Sequence, residues 1–227
     1  MSAVRIAAKV LPANTGIVIL HGLGDTANGF PRTIANYLRG IPAFEQTSFI
    51  LPDAPISPVS LNNGYKMPSW FDIYELSAHP SRVDADGFMK SLGVIEKCVQ
   101  EHIDAGIKPE NIVVCGFSQG AALSLSSAAT LPVKIGAFAA FSGFVTIPNQ
   151  LRQIKKDHNL DTPIFHGHGD SDPVVPLEGG FIAKDFYQND CGFKNIQFEV
   201  YKGMDHSVCP EEMDQFVKFL KRALKMK

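Results

Sequence analysis

The stretch Val113-Val114-Cys115-Gly116-Phe117-Ser118-Gln119-Gly120-Ala121-Ala122 joins a β-branched run to an alanine-rich one through the pattern G-x-S-x-G. The first half predicts a strand and the second a helix. A tight turn between the two lifts a serine hydroxyl above the end of the sheet. Small residues on both flanks let the backbone reverse and the helix pack closely against the strand. The bare pattern also fits an ordinary glycine-bracketed turn; the strand before it and the helix after it favour a nucleophile.

Working outward, apolar runs at 4–10, 16–20, 47–51, 111–115, 135–141, 163–166 and 197–201 predict strands. Between them lie predicted helices at 31–39, 86–105, 119–130, 178–189 and 211–225. The clearest is 86–105, where Phe88, Leu92, Ile95, Val99 and Ile103 build one stripe and Gly106 supplies the stop. Strands alternating with helices imply an α/β fold with a mostly parallel sheet flanked by helices. The 227 residues hold no internal repeat and no linker, so the expectation is one domain over 1–227. Two segments lack a sustained period: 52–83, with five prolines, and 143–160. Their apolar residues argue for ordered, functional loops.

Charge narrows the function classes. With 21 basic against 23 acidic residues and no run of Lys or Arg, an electrostatic nucleic-acid binder is excluded. No apolar run approaches the roughly 20 residues of a membrane helix. Lys9 interrupts the N-terminal stretch before a signal-peptide core forms, and Cys98, Cys115, Cys191 and Cys209 show no C-x-x-C spacing. The expectation is a cytoplasmic protein, with the nucleus as a second location, and with reduced thiols.

A serine needs a base, and the base an orienting acid; with this kind of turn the chain order is Ser, Asp, His. After the 163–166 strand comes Gly167-His168-Gly169-Asp170-Ser171-Asp172-Pro173-Val174-Val175-Pro176, and after 197–201 comes Lys202-Gly203-Met204-Asp205-His206-Ser207. Both are loops at strand ends, where parallel sheets assemble their sites. His206 is the one histidine after these aspartates. Asp170 and Asp172 compete for the acid role. The His166-Gly167-His168-Gly169-Asp170 run raises a zinc hypothesis, with His166 and His168 on one face of the strand, but spacing suggests no third ligand to join the two histidines, and a polar turn is the simpler account. The loop His21-Gly22-Leu23-Gly24-Asp25-Thr26-Ala27 admits two readings. It imitates a dinucleotide fingerprint, with Asp53 as the ribose acid, or it is a His-Gly-x-Gly loop that donates a backbone N–H to an oxyanion. The second explains three separated motifs with one chemistry. It makes the amides of Leu23 and Gln119 the oxyanion donors and requires no cofactor.

These residues resemble the acyl-protein thioesterases and related carboxylesterases, small α/β-hydrolases. The resemblance rests on Leu20-His21-Gly22-Leu23-Gly24-Asp25, Met67-Pro68-Ser69-Trp70-Phe71-Asp72, the serine turn, the His166 to Pro176 run and Met204-Asp205-His206-Ser207, five blocks in order along almost the whole chain. It implies an α/β-hydrolase fold and the triad Ser118, Asp172 and His206, with Asp172 preferred over Asp170. It also implies hydrolysis of thioester-linked fatty acyl groups on proteins, with S-palmitoylated proteins as substrates; many members also take lysophospholipids or short aryl esters. Burying some fifteen methylenes at ~0.8 kcal/mol each gains about 12 kcal/mol before costs, so acyl selectivity calls for a long apolar groove. The segments 52–83 and 143–160 are its expected walls, with Leu61, Met67, Trp70, Phe71 and Phe144 as acyl-binding residues. Relatives carry a lipid-modified cysteine near the N-terminus that Met1-Ser2-Ala3-Val4 does not offer, so the expectation is transient contact with a membrane surface. An exposed groove mouth leaves a weak homodimer open.

Overall fold

Gly16-Ile17-Val18-Ile19-Leu20 is apolar on both faces, which a strand covered by helices on both sides requires. In the computed structural model, which describes residues 2–77 and 80–226, this strand is buried along its whole length. The main sheet contains β1 (Ala3–Ile6), β2 (Thr15–Leu20) and β3 (Thr47–Pro52). A separate hairpin follows, β4 (Ile56–Val59) and β5 (Tyr65–Pro68). The main sheet continues with β6 (Ile112–Phe117), β7 (Ala137–Phe141), β8 (Ile164–Gly169) and β9 (Ile196–Tyr201). Its order is β1-β3-β2-β6-β7-β8-β9, with β1 antiparallel and every other pairing parallel.

Helices α1 (Phe30–Arg39), α2 (Ala85–Asp104), α3 (Gln119–Thr130), α4 (Pro148–Ile154), α5 (Leu177–Asp185) and α6 (Pro210–Ala223) supply the crossovers. Alternation along β2 divides the core. Val18 and Leu20 pack with Ile95, Val99 and Leu123 of α2 and α3, while Ile17 and Ile19 pack with Ile34, Leu38 and Phe216 of α1 and α6. Every parallel strand therefore ends on the same edge, and the loops after β2, β6, β8 and β9 meet there.

The expected elements are present, with four differences. The first strand ends at Ile6, where its pairing with β3 ends. The helix expected over 178–189 stops at Asp185 and closes in a π turn, Phe186–Asp190. Segment 143–160 contains α4, begun by Pro148 at its first turn, where a missing N–H costs nothing. Segment 52–83 contains the β4–β5 hairpin, which reverses through Asn63 and Gly64, both at positive φ. Ala78 and His79 of that segment lie outside the described residues. No described helix is long and apolar enough to cross a membrane.

Candidate active site

Ser118 stands between β6 and α3 with φ 54° and ψ −114°, a strained conformation for a side-chain-bearing residue. Its neighbours explain how the turn is held. A Cβ on Gly116 would strike the backbone of Gly120, and one on Gly120 would lie 2.6 Å from the carbonyl oxygen of Leu20. Both positions must be glycine for α3 to sit this close to β6 and β2. The Ser118 amide donates to the Phe141 carbonyl at 2.9 Å, tying the turn to β7.

Three side chains from separate loops then form one line. His206 Nε2 lies 3.0 Å from Ser118 Oγ, and His206 Nδ1 lies 2.7 Å from Asp172 Oδ2. The other carboxylate oxygen, Asp172 Oδ1, accepts the amides of Val174 and Val175, both at 2.8 Å. Burial works to raise the Asp172 carboxyl. The hydrogen bond from His206 and the amides of Val175 and Val174 outweigh it, and the group is held below the ordinary aspartate range. An ionised, oriented acid next to an imidazole that reaches a hydroxyl is the geometry general-base activation needs. Asp170 lies outside the line: it is exposed, and its Oδ1 accepts the amide of Gly203 and the hydroxyl of Ser171.

Leu23 lines the same cavity as Ser118, and Gln119 follows the serine in the chain. Gln119 is the first residue of α3, where a helix leaves its N–H groups without internal partners. Among the described residues no backbone carbonyl takes the Leu23 amide. His21 is buried and lowered in pKa by burial, against the opposing pull of the Gly22 carbonyl. Its Nδ1 meets the Gly22 carbonyl at 2.7 Å, and its Nε2 accepts the Ala54 amide at 3.0 Å. Asp53 is occupied by the Ala27 amide and the Ser2 hydroxyl, so the acid that would grip a ribose instead ties two loops together.

His166 and His168 are buried side by side, ring centroids 5.7 Å apart. His168 Nε2 meets the Val175 carbonyl at 2.8 Å, securing the loop that holds Asp172. Burial pushes His166 down to about 3. Among the described residues no group of three His, Cys, Asp or Glu side chains could hold a metal ion.

Above Ser118 and His206 opens a trough of about 510 Å³, lined by Leu23, Phe30, Leu61, Ile73, Leu76, Phe117, Phe144, Val174, Val175 and Val208. It shares Ile73, Leu76, Phe144, Val174 and Val175 with a smaller chamber of about 80 Å³ that Phe71, Val145 and Ile182 extend. Of the five expected acyl-binding residues, Leu61 and Phe144 face the trough and Phe71 the chamber. Trp70 does not line it: the side chain is 2% exposed, and its indole N–H donates to the His21 carbonyl at 2.9 Å, beneath the loop rather than in the cavity. Met67 lies beside Gly24 and Asn62, outside the lining. The wall contributed by Val174, Val175 and Ile182 was missed. In sequence these residues read as the tail of the acid loop and one side of a helix, and only the approach of α5 brings them to the cavity.

This fold and site are those of an α/β-hydrolase, and a family model for phospholipases and carboxylesterases matches residues 1–224; the chain belongs to that family. Within it, the chain is 52% identical to acyl-protein thioesterase 1 of Saccharomyces cerevisiae over 226 residues, 99% of each chain. It is 46% identical to acyl-protein thioesterase 1 of Kluyveromyces lactis, covering 100% of this chain and 99% of the relative. The crystal structure of Zea mays acyl-protein thioesterase 2 superposes with a TM-score of 0.83 at 27% identity, over 98% of this chain and 99% of that one.

Proposed function

We propose that this chain is a serine hydrolase that removes thioester-linked fatty acyl groups, palmitoyl among them, from cysteines of S-acylated proteins. The observation that carries the reading is the hydrogen-bonded line from Asp172 through His206 to Ser118, opening into an apolar trough larger than a short acyl group needs. In this reading Ser118 Oγ attacks the thioester carbonyl while His206 Nε2 takes its proton. The amides of Leu23 and Gln119 hold the negative oxygen of the tetrahedral intermediate. Its collapse breaks the C–S bond, and His206 returns the proton to the departing cysteine sulfur. Water, deprotonated in turn by His206, then attacks the acyl-enzyme carbonyl; the bond to Ser118 Oγ breaks, His206 passes the proton back to that oxygen, and the fatty acid leaves. Asp172 orients the imidazole and stabilises its charged form.

Leu61, Phe71 and Phe144 belong to the acyl-binding wall in this reading. The same acyl-enzyme forms from an oxygen ester, so lysophospholipids and small esters are further substrates, in keeping with the family the chain belongs to. A single acyl chain anchors a protein only marginally and two anchor it stably, so removing one frees a peripheral protein from its membrane.

The test follows thiol or alcohol release from a palmitoyl thioester and from an acetyl oxyester, with wild type and Ser118→Ala. Efficient cleavage of the long thioester, lost by several orders of magnitude in the variant, supports the reading. Cleavage of the short oxyester alone would make this a general esterase.

A further inference from the structure

We propose that residues 68–71, the strap that begins at the last residue of β5, set the spacing between the two oxyanion-donating amides, with Trp70 and the side chain of Gln119 as positioning residues. The inference rests on the assignment of the Leu23 and Gln119 amides made above.

The strap grips the Leu23 loop on both sides of its donor. Before Leu23, the His21 carbonyl accepts the indole N–H of Trp70 at 2.9 Å; after it, the Gly24 amide donates to the Pro68 carbonyl at 2.8 Å. Gln119 grips the same strap with its side chain. Its Oε1 accepts the Trp70 amide at 3.1 Å and its Nε2 donates to the Phe71 carbonyl at 2.9 Å. The residue whose main chain offers one donor is thus fastened, by its side chain, to the element that holds the other.

The strap is itself anchored: the Ser69 amide donates to the Pro55 carbonyl at 3.0 Å, and the Ser91 hydroxyl donates to the Trp70 carbonyl. Gln119 is fully buried and Trp70 2% exposed, so water does not compete for these bonds. Donors aimed where charge develops are effective only when they need not reorganise as it appears. A buried strap bonded to both provides that rigidity.

The chain contains one tryptophan, which makes an atomic test possible. Replacing it with β-(3-benzothienyl)alanine during expression substitutes sulfur for the indole N–H and leaves the shape. Trp70→Phe and Gln119→Met serve as genetically encoded counterparts, the second removing the side-chain bonds to Ser69, Trp70 and Phe71 while keeping the backbone amide. Thermal unfolding establishes that each variant is folded. We expect kcat to fall roughly ten- to hundredfold with KM within about threefold, equally on acetyl and palmitoyl esters, because the loss lies in the transition state. Affinity for an alkyl boronic acid, which forms a tetrahedral anion on serine, should fall in parallel, while affinity for the matching unreactive amide stays unchanged. Combining Trp70→Phe with Gln119→Met should cost less than the two losses multiplied, because both release one strap.

Unchanged kcat in the folded variants, or a loss confined to KM and growing with acyl length, would overturn the proposal and return Trp70 to the acyl wall. A wild type that binds the boronic acid no better than the amide would overturn it too, by removing the oxyanion assignment itself. Ser118→Ala reports on the nucleophile separately.

Discussion

Glu212 offers a prediction in which sign and size both follow from burial. It lies in the first turn of α6, six residues after His206, where an acidic residue would ordinarily face water beside the positive end of the helix. Here the side chain is fully buried, crowding the space above Gly167 of β8. Burial pushes its pKa from 4.5 up to about 8, with only the Cys209 amide pulling the other way. Below pH 4.5 the folded and unfolded chains both carry the proton, and the group is neutral to stability. Above it the unfolded chain ionises first, so stability is lost as pH rises until the folded group titrates near 8. Each unit over which the two states differ by one proton costs about 1.4 kcal/mol, for a total on the order of 5 kcal/mol.

Between pH 7 and 8 the buried histidines partly oppose the effect, so it is read as a difference between wild type and a variant without the carboxyl. With His102 lowered to about 4 and His166 to about 3 by burial, they are neutral when folded, while the unfolded histidines, near 6.5, shed their remaining protons over this unit and so add stability as pH rises. Buried Cys98, raised to about 12, and Cys191, raised to about 11, affect stability only at higher pH, once the unfolded thiols ionise. Glu212 should therefore cost wild type about 1 kcal/mol across that unit, worth roughly 2–4 °C in Tm for a chain of this size when measured against a variant that lacks the carboxyl. Glu212→Gln, which cannot ionise, should escape that cost and gain on wild type from pH 5 to pH 8. Urea unfolding of both at pH 5, 6, 7 and 8 reads this directly. Parallel pH dependences in the two proteins would refute the reasoning, by showing that Glu212 reaches water or a partner in the native state.

Other perturbations probe the site. Asp172→Asn should leave KM near wild type and lower kcat roughly 10³–10⁴-fold, since the amide cannot stabilise the imidazolium; steady-state kinetics on a short ester decide it. Gly120→Ala drives a methyl group to within 2.6 Å of the Leu20 carbonyl oxygen and 2.7 Å of its carbon. Neither backbone atom can give way cheaply, so stability should drop by roughly 1–3 kcal/mol or more, and kcat should drop with it as the serine tilts. Phe144→Asp places a charge in the shared wall of trough and chamber. The ratio of kcat/KM for palmitoyl over acetyl substrates should fall by at least about tenfold, because each lost methylene contact is worth ~0.8 kcal/mol.

Legibility differed among the site's parts. The serine turn could be read because its constraint is local: two glycines four residues apart pack against backbone within the same strand–turn–helix unit, with β2 alongside. The Asn63-Gly64 pair was a readable hairpin signal, obscured by the prolines around it and the absence of alternation in so short a pair of strands. Trp70 was read as a groove wall because an aromatic in an irregular segment carries no periodicity to say which way it faces. Its indole N–H was the available clue, since a buried tryptophan needs an acceptor. Gln119 was read for its backbone alone, and nothing in the sequence announces that its side chain grips a segment 48 to 50 positions away.

What the amino-acid sequence determined by itself was the alternation of strands and helices, the order serine, aspartate, histidine, and the loops that carry them. Period and punctuation act over a few residues, and parallel pairing with helical crossovers leaves one edge where such loops meet. Only the tertiary structure decided that Asp172 rather than Asp170 meets His206, that Val174 and Ile182 face the cavity while Trp70 lies beneath it, and that Glu212 is cut off from water. Each of those depends on which distant backbone or side chain closes over the residue. Burial and hydrogen-bond partnership are properties of the packed neighbourhood, and the local chain does not contain them.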